Sequence, residues 1–220
     1  MGALAPRGAV TLEVITERAT IPVAVSDSDV LVVLAHGAGS HMDHPTILWL
    51  STLVHAAGVG DVRFNFAYRT LGRSMPDRMP ILMDTYRSVV EAVREKFYPR
   101  RLFIGGHSMG GRVASMLAAE GDVTDGLLLF GYPLHPPGQF TKLRDAHLMK
   151  ITCPVLQISG TRDDFCRKDL MESVPIGTNY RITWIEGADH GYAVPKASGR
   201  TRMEVEQQIS EALASFLKTS

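Results

Sequence analysis

Cysteine is nearly missing from this chain: Cys153 and Cys166 are the only two in 220 residues. That is too few for a disulfide framework, and their spacing is not that of metal ligands, so two reduced thiols are expected rather than a bridge. An excess of either charge is also missing. Lys plus Arg number 23 and Asp plus Glu 23, for a formal net charge of zero, so nothing points to nucleic acid or an acidic membrane as partner. No stretch approaches the ~18 uninterrupted apolar residues of a membrane-spanning helix. The opening MGALAPRGAV has no apolar core long enough for a signal peptide. These absences lead to the expectation of a soluble, cytoplasmic protein whose partner is a small molecule. No repeat, low-complexity tract or linker divides the chain, and a single domain over residues 1–220 is expected. With 45% hydrophobic and 21% charged residues, it can bury a sizeable interior.

What is present is an alternation of short apolar runs and helical patterns. Leu12 to Thr16 and Ile21 to Ser26 suit a hairpin at one edge of a sheet, and Pro22, which cannot donate to a ladder, fits an edge strand. Val30 to Leu34, Leu127 to Phe130 and Val155 to Ser159 are unbroken apolar runs, as in strands covered on both faces. Val62 to Phe66 and Tyr180 to Ile185 are further strands. Helices are expected from Pro45 to near Gly58, through Leu82 to Phe97, after Ser108, and through Val205 to Phe216. The order predicts an α/β fold: a mostly parallel, doubly wound sheet with helices on both faces. In such sheets ligands bind beyond the carboxyl ends of the strands.

One of those ends carries a specific motif. Gly106-His107-Ser108-Met109-Gly110 matches the G-x-S-x-G nucleophile elbow, and it stands between the apolar run Leu102 to Ile104 and a helical segment, as the motif requires. Glycines are needed because the serine backbone is held in a strained turn where neighbouring side chains would collide. A serine hydroxyl attacks only when a base removes its proton and an acid orients that base. In folds with this elbow the order is Ser, then Asp or Glu, then His. After Val155 to Ser159 the chain reads Gly160-Thr161-Arg162-Asp163-Asp164, and the only later histidine is His190 in Gly187-Ala188-Asp189-His190-Gly191. Ser108 is therefore the candidate nucleophile, Asp163 the orienting acid with Asp164 as its alternative, and His190 the base. Asp189 adjoins the histidine too closely to reach its ring. Oxyanion donors are expected from the Met109 N–H and from Ala38 or Gly37 in the loop His36-Gly37-Ala38-Gly39.

On these motifs the chain resembles the α/β-hydrolase superfamily, as a small member similar to the dienelactone-hydrolase-like branch and its compact serine-hydrolase relatives. The resemblance runs from Val30 to Phe216 and rests on the His36-Gly37 loop, the elbow, the Gly160-to-Asp163 turn and the Gly187-to-His190 segment. It implies an eight-strand-type sheet and an esterase-like activity. The reading is a serine hydrolase acting on small to medium carboxylic esters or thioesters through an acyl-serine, with no cofactor. A peptidase or lactonase using the same residues, or a non-catalytic binding protein of the same fold, are its rivals. Dienelactone hydrolases proper carry cysteine where Ser108 stands, so their lactone substrate is not carried over.

Other features have plainer readings. His36, His41 and His44 lie close together, but His36 belongs to the loop beside the nucleophile and no carboxylate or cysteine completes a metal set. Gly37-x-Gly39 after a strand has Met42 where a dinucleotide fingerprint needs its third glycine. Arg69 and Arg73 are candidates to face the cleft and favour anionic substrates. Gly131 to Ile151, broken by prolines, is too short for a cap domain. A short helix over Leu143 to Met149 is expected there, with Leu134, Phe140 or Leu148 as cleft walls.

Overall fold

A computed structural model describes residues 10–219; the segment before Val10, on which the signal-peptide expectation rests, lies outside the described residues. The strands are β1 (Val10–Ile15), β2 (Thr20–Val25), β3 (Val30–Ala35), β4 (Gly60–Phe64), β5 (Arg101–His107), β6 (Leu127–Phe130), β7 (Val155–Gly160) and β8 (Tyr180–Ile185). They form one sheet in the order β1-β2-β4-β3-β5-β6-β7-β8. Pairing is antiparallel at β1-β2 and β2-β4 and parallel from β4 to β8.

The helices are α1 (Pro45–Ala56), α2 (Ala67–Thr70), α3 (Met79–Phe97), α4 (Met109–Glu120), α5 (Lys168–Ser173) and α6 (Arg202–Thr219). All six residues of β3 are buried, and they divide by the period of two: Leu31, Val33 and Ala35 join one apolar cluster, Val30, Val32 and Leu34 the other. The first cluster lies under α3 and α4; the second lies under α1 and α6, where Ile47, Leu50 and Val54 share a core with Val205, Ile209, Leu213 and Phe216. Among the described residues, no helix is long and apolar enough to cross a membrane.

Several local expectations need correction. Pro22 is not on the edge strand, because β2 lies between β1 and β4. The ladder to β4 begins only at Val23, so the missing N–H falls where β2 has one neighbour. The fourth strand begins and ends two residues earlier than expected, and the loop after it contains α2. Between β7 and β8, α5 supplies the crossover that a parallel pair requires. The segment from Gly131 to Pro154 holds only a 3-10 turn at Leu148–Lys150, and no cap domain. Leu134 and Leu148 are buried in the core and line neither of the hollows that border Ser108.

Tyr86 on α3 ties the central strands together. Its hydroxyl accepts from the Gly105 N–H at 2.8 Å and lies 2.7 and 2.8 Å from the Val33 and Gly105 carbonyls, to one of which it donates. Burial pushes its pKa far up, so the hydroxyl keeps its proton. Tyr86→Phe leaves the Gly105 N–H and a carbonyl buried without their partner. Denaturant melts are expected to show a loss of about 1–3 kcal/mol in unfolding free energy; an unchanged midpoint would refute this role.

Candidate active site

The expected strand, turn and helix around Ser108 are present as β5, the elbow and α4. Ser108 sits at φ 53 and ψ −118, a backbone conformation that costs a non-glycine residue about 1–3 kcal/mol. Its N–H donates to the Phe130 carbonyl at 2.9 Å and its own carbonyl accepts from the Arg112 N–H at 3.0 Å. A Cβ at Gly106 or at Gly110 would lie 2.4 Å from the same atom, the Ala35 carbonyl oxygen of β3. The glycines on either side of the nucleophile are thus required by one neighbouring strand.

His190 reaches the same cleft from the loop after β8. Its Nδ1 lies 2.9 and 2.8 Å from the two carboxylate oxygens of Asp163, which is buried and also accepts the Phe165 N–H at 2.8 Å. Asp164 is exposed and points into no bond with that ring. Asp189, excluded on spacing, instead holds the loop: its Oδ1 accepts the Gly191 and Ala193 N–H groups, each at 2.9 Å. The Tyr192 hydroxyl donates to the Ile158 carbonyl at 2.8 Å and anchors that loop to the sheet. Ser108, His190, Gly37 and Ala38 line one cavity of about 290 Å³. A second, of about 350 Å³, also borders Ser108 and includes Ala38 and Met109.

The loop carrying Gly37 and Ala38 is oriented by His36, which is fully buried. Its Nδ1 donates to the Gly37 carbonyl at 2.8 Å and its Nε2 accepts the Phe66 N–H at 3.2 Å, so the partners fix one neutral tautomer. In a trans peptide the carbonyl and the next N–H point in opposite directions. Holding the Gly37 carbonyl against His36 therefore turns the Ala38 N–H away from it. Met109 is the first residue of α4, so its N–H has no partner within the helix.

Sequence reasoning missed His107, which occupies a variable position of the elbow motif. Its Nε2 donates to the His190 carbonyl at 2.9 Å and the two rings lie 4.8 Å apart, so it fixes the backbone that carries the candidate base. Phe165, another residue not anticipated, packs its ring 4.4 Å from that of His190. Arg69 and Arg73 do not line either cavity at Ser108. Arg69 donates to the Arg73 carbonyl, and the Arg73 guanidinium is paired with Asp77 at 2.9 Å. Phe140 lies on a different hollow, beyond Asp163. Of the clustered histidines, His36 has both ring nitrogens committed and His44 caps α1 by accepting the Thr46 N–H at 3.2 Å.

A second Ser-His-Asp cluster joins Ser26 just after β2, His55 on α1 and Asp61 on β4. Ser26 Oγ donates to Asp61 Oδ1 at 2.6 Å, and His55 Nε2 is 2.8 Å from that oxygen and 3.0 Å from Ser26. One ring nitrogen of His55 faces both partners, whereas a triad needs one nitrogen held by the acid and the other facing the serine hydroxyl.

Burial pulls the pKa of both His36 and His107 down to about 4, from 6.5. The unfolded chain therefore binds more protons than the folded one between those values, and stability is lost as pH falls from 6.5 towards 4. In His107→Gln the slope over that window is expected to shrink by up to one proton, about 1.4 kcal/mol per pH unit. Denaturant unfolding at pH 7, 5.5 and 4 checks this; equal slopes in both proteins would refute it.

A model of the alpha/beta hydrolase domain family matches residues 28–218. Among solved structures, the chain is similar to a serine hydrolase without lid from Xanthomonas campestris, at 19% identity over 100% of each chain and a TM-score of 0.71. It is similar to a dienelactone hydrolase from Anabaena variabilis at 18% identity, covering 96% of this chain and 99% of that one, TM-score 0.73. An esterase from Pyrococcus furiosus aligns at 17% identity over 98% of this chain and 97% of that one, TM-score 0.74. At such identities the likeness is one of fold. With the family model spanning both sides of the elbow and the His190 loop, the chain belongs to the alpha/beta hydrolase domain family.

Proposed function

We propose that the protein is a serine hydrolase that cleaves carboxylic esters or thioesters through an acyl-serine intermediate. The observation that carries this reading is the pairing of His190 Nδ1 with both oxygens of the buried Asp163 carboxylate, on a ring that lines the same cavity as the strained Ser108. A ring so held presents Nε2 to the cleft as the acceptor for a hydroxyl proton.

In the first half-reaction Ser108 Oγ bonds to the acyl carbon while its proton passes to His190 Nε2. The carbonyl π pair moves onto oxygen. The Met109 and Ala38 N–H groups donate to that oxyanion, which is where such donors contribute most. On collapse the carbonyl re-forms, the ester or thioester bond breaks, and the leaving oxygen or sulfur takes the proton from His190. In the second half-reaction water gives a proton to His190 Nε2 as its oxygen bonds to the acyl carbon. The Ser108–acyl bond breaks, the acid leaves, and the proton returns to Ser108 Oγ. Throughout, Asp163 holds Nδ1–H and stabilises the imidazolium.

A fluorophosphonate probe is expected to label the wild-type protein and not Ser108→Ala, with turnover of a short-chain ester falling by on the order of a millionfold. Asp163→Asn is expected to keep the fold and lose about 10⁴-fold in kcat. A wild-type protein that neither labels nor turns over any of a graded panel of esters and thioesters would overturn the reading.

A further inference from the structure

The two cavities at Ser108 have different chemistry, and the reaction assigns each to one part of the substrate. The leaving group must take its proton from His190, and His190 lines only the first cavity. If the proposed hydrolase reading holds, the acyl group lies in the second. Its walls include Met79, Leu82 and Phe165, and its charged residues are Asp77, Arg112 and Arg144.

The charges do not cancel. Asp77 is held by Arg73, through Nη1 to Oδ1 at 2.9 Å and Nη2 to Oδ2 at 3.2 Å. Among the described residues no ion pair joins Arg112 or Arg144 to a carboxylate. Arg144 is tied by Nη1 to the Pro133 carbonyl at 3.2 Å. Burial, and then the neighbouring positive charge of Arg112, lower its pKa. The Nε–H of Arg112 is buried without a hydrogen-bond partner, a cost that native proteins seldom leave uncompensated. Arg112 also stands in the first turn of α4, where the helix dipole opposes a positive charge. Two guanidiniums facing one hollow, each without an acid, are a receptor for an oxyanion.

We propose that Arg112 and Arg144 form an acyl-specificity site, selecting substrates whose acyl chain ends in an oxyanion, a carboxylate or a phosphate group. The neutral walls accept a short methylene chain, and the charged end group meets the arginine pair. The two residues are specificity determinants: neither takes part in the proton transfers.

The test compares 4-nitrophenyl butanoate with 4-nitrophenyl hydrogen glutarate and with the 4-nitrophenyl ester of 4-phosphonobutanoic acid. Wild-type kcat/KM is expected to favour one or both anionic esters over the neutral one by about tenfold or more, the ratio that 1.4 kcal/mol produces. The arm that gains identifies carboxylate or phosphate as the preferred group. In Arg112→Gln/Arg144→Gln the anionic-to-neutral ratio is expected to fall about tenfold or more, and in Arg112→Lys/Arg144→Lys to fall less. A ratio does not depend on how much of each preparation is folded. No wild-type preference for either anionic ester, or a ratio unmoved by the Gln substitutions, overturns the proposal. Loss of all ester turnover would instead indict the hydrolase reading. The arginine site is then still tested by calorimetric titration of Ser108→Ala with monomethyl glutarate and with 3-phosphonopropionate. Binding weakened about tenfold by the Gln pair supports the site, and no binding of either compound overturns it.

Discussion

The Ser108 backbone is held at φ 53 by a neighbourhood that leaves it nowhere else to go. On one side the Ala35 carbonyl of β3 excludes any side chain at Gly106 and Gly110. On the other, the Phe130 carbonyl of β6 takes the Ser108 N–H. The strain is supported by β3, β5 and β6 together, three parallel strands whose register is set by apolar burial on both faces. Because β5 is central, the hydroxyl is delivered at the carboxyl edge of the sheet, with α4 starting beneath it. The rest of the architecture serves to keep that one residue from relaxing.

Around the nucleophile, buried imidazoles act as struts. His36 fixes the peptide between Gly37 and Ala38, and His107 fixes the carbonyl of His190. Both stay neutral because burial disfavours the imidazolium. A neutral ring can donate with one nitrogen and accept with the other, and His36 uses both. Lysine or arginine in its place could donate but not accept, and would bring a charge into the interior. Asp163 has the opposite role in the same neighbourhood, as an acceptor for His190 and for the Phe165 N–H.

Charge is distributed unevenly about Ser108. The cavity with His190 is shaped by glycines and imidazoles, and the other cavity holds the two arginines. A chain with equal numbers of basic and acidic residues can still be locally positive wherever its acids are engaged elsewhere. Asp77 shows how: it borders the cavity, yet its carboxylate is turned to Arg73.

Much of this was legible in the order of residues. The apolar run Leu127 to Phe130 and the strand expected over Tyr180 to Ile185 agree with β6 and β8 end to end, since strand burial leaves a local imprint. The elbow was legible because a strained turn admits only glycine at its tight points. The short α5 left no strong periodicity, and Arg112 was overlooked although it lies one helical turn beyond Ser108. By itself the sequence determined the alternation of strands and helices, the elbow, and the few residues able to serve it. The tertiary structure alone decided that Asp163 rather than Asp164 meets His190, that Ala38 turns its N–H from His36, and that Arg112 and Arg144 rather than Arg69 and Arg73 border Ser108. Those choices depend on the direction of a turn and on which charges are already paired, and both are set by contacts between segments far apart in the chain.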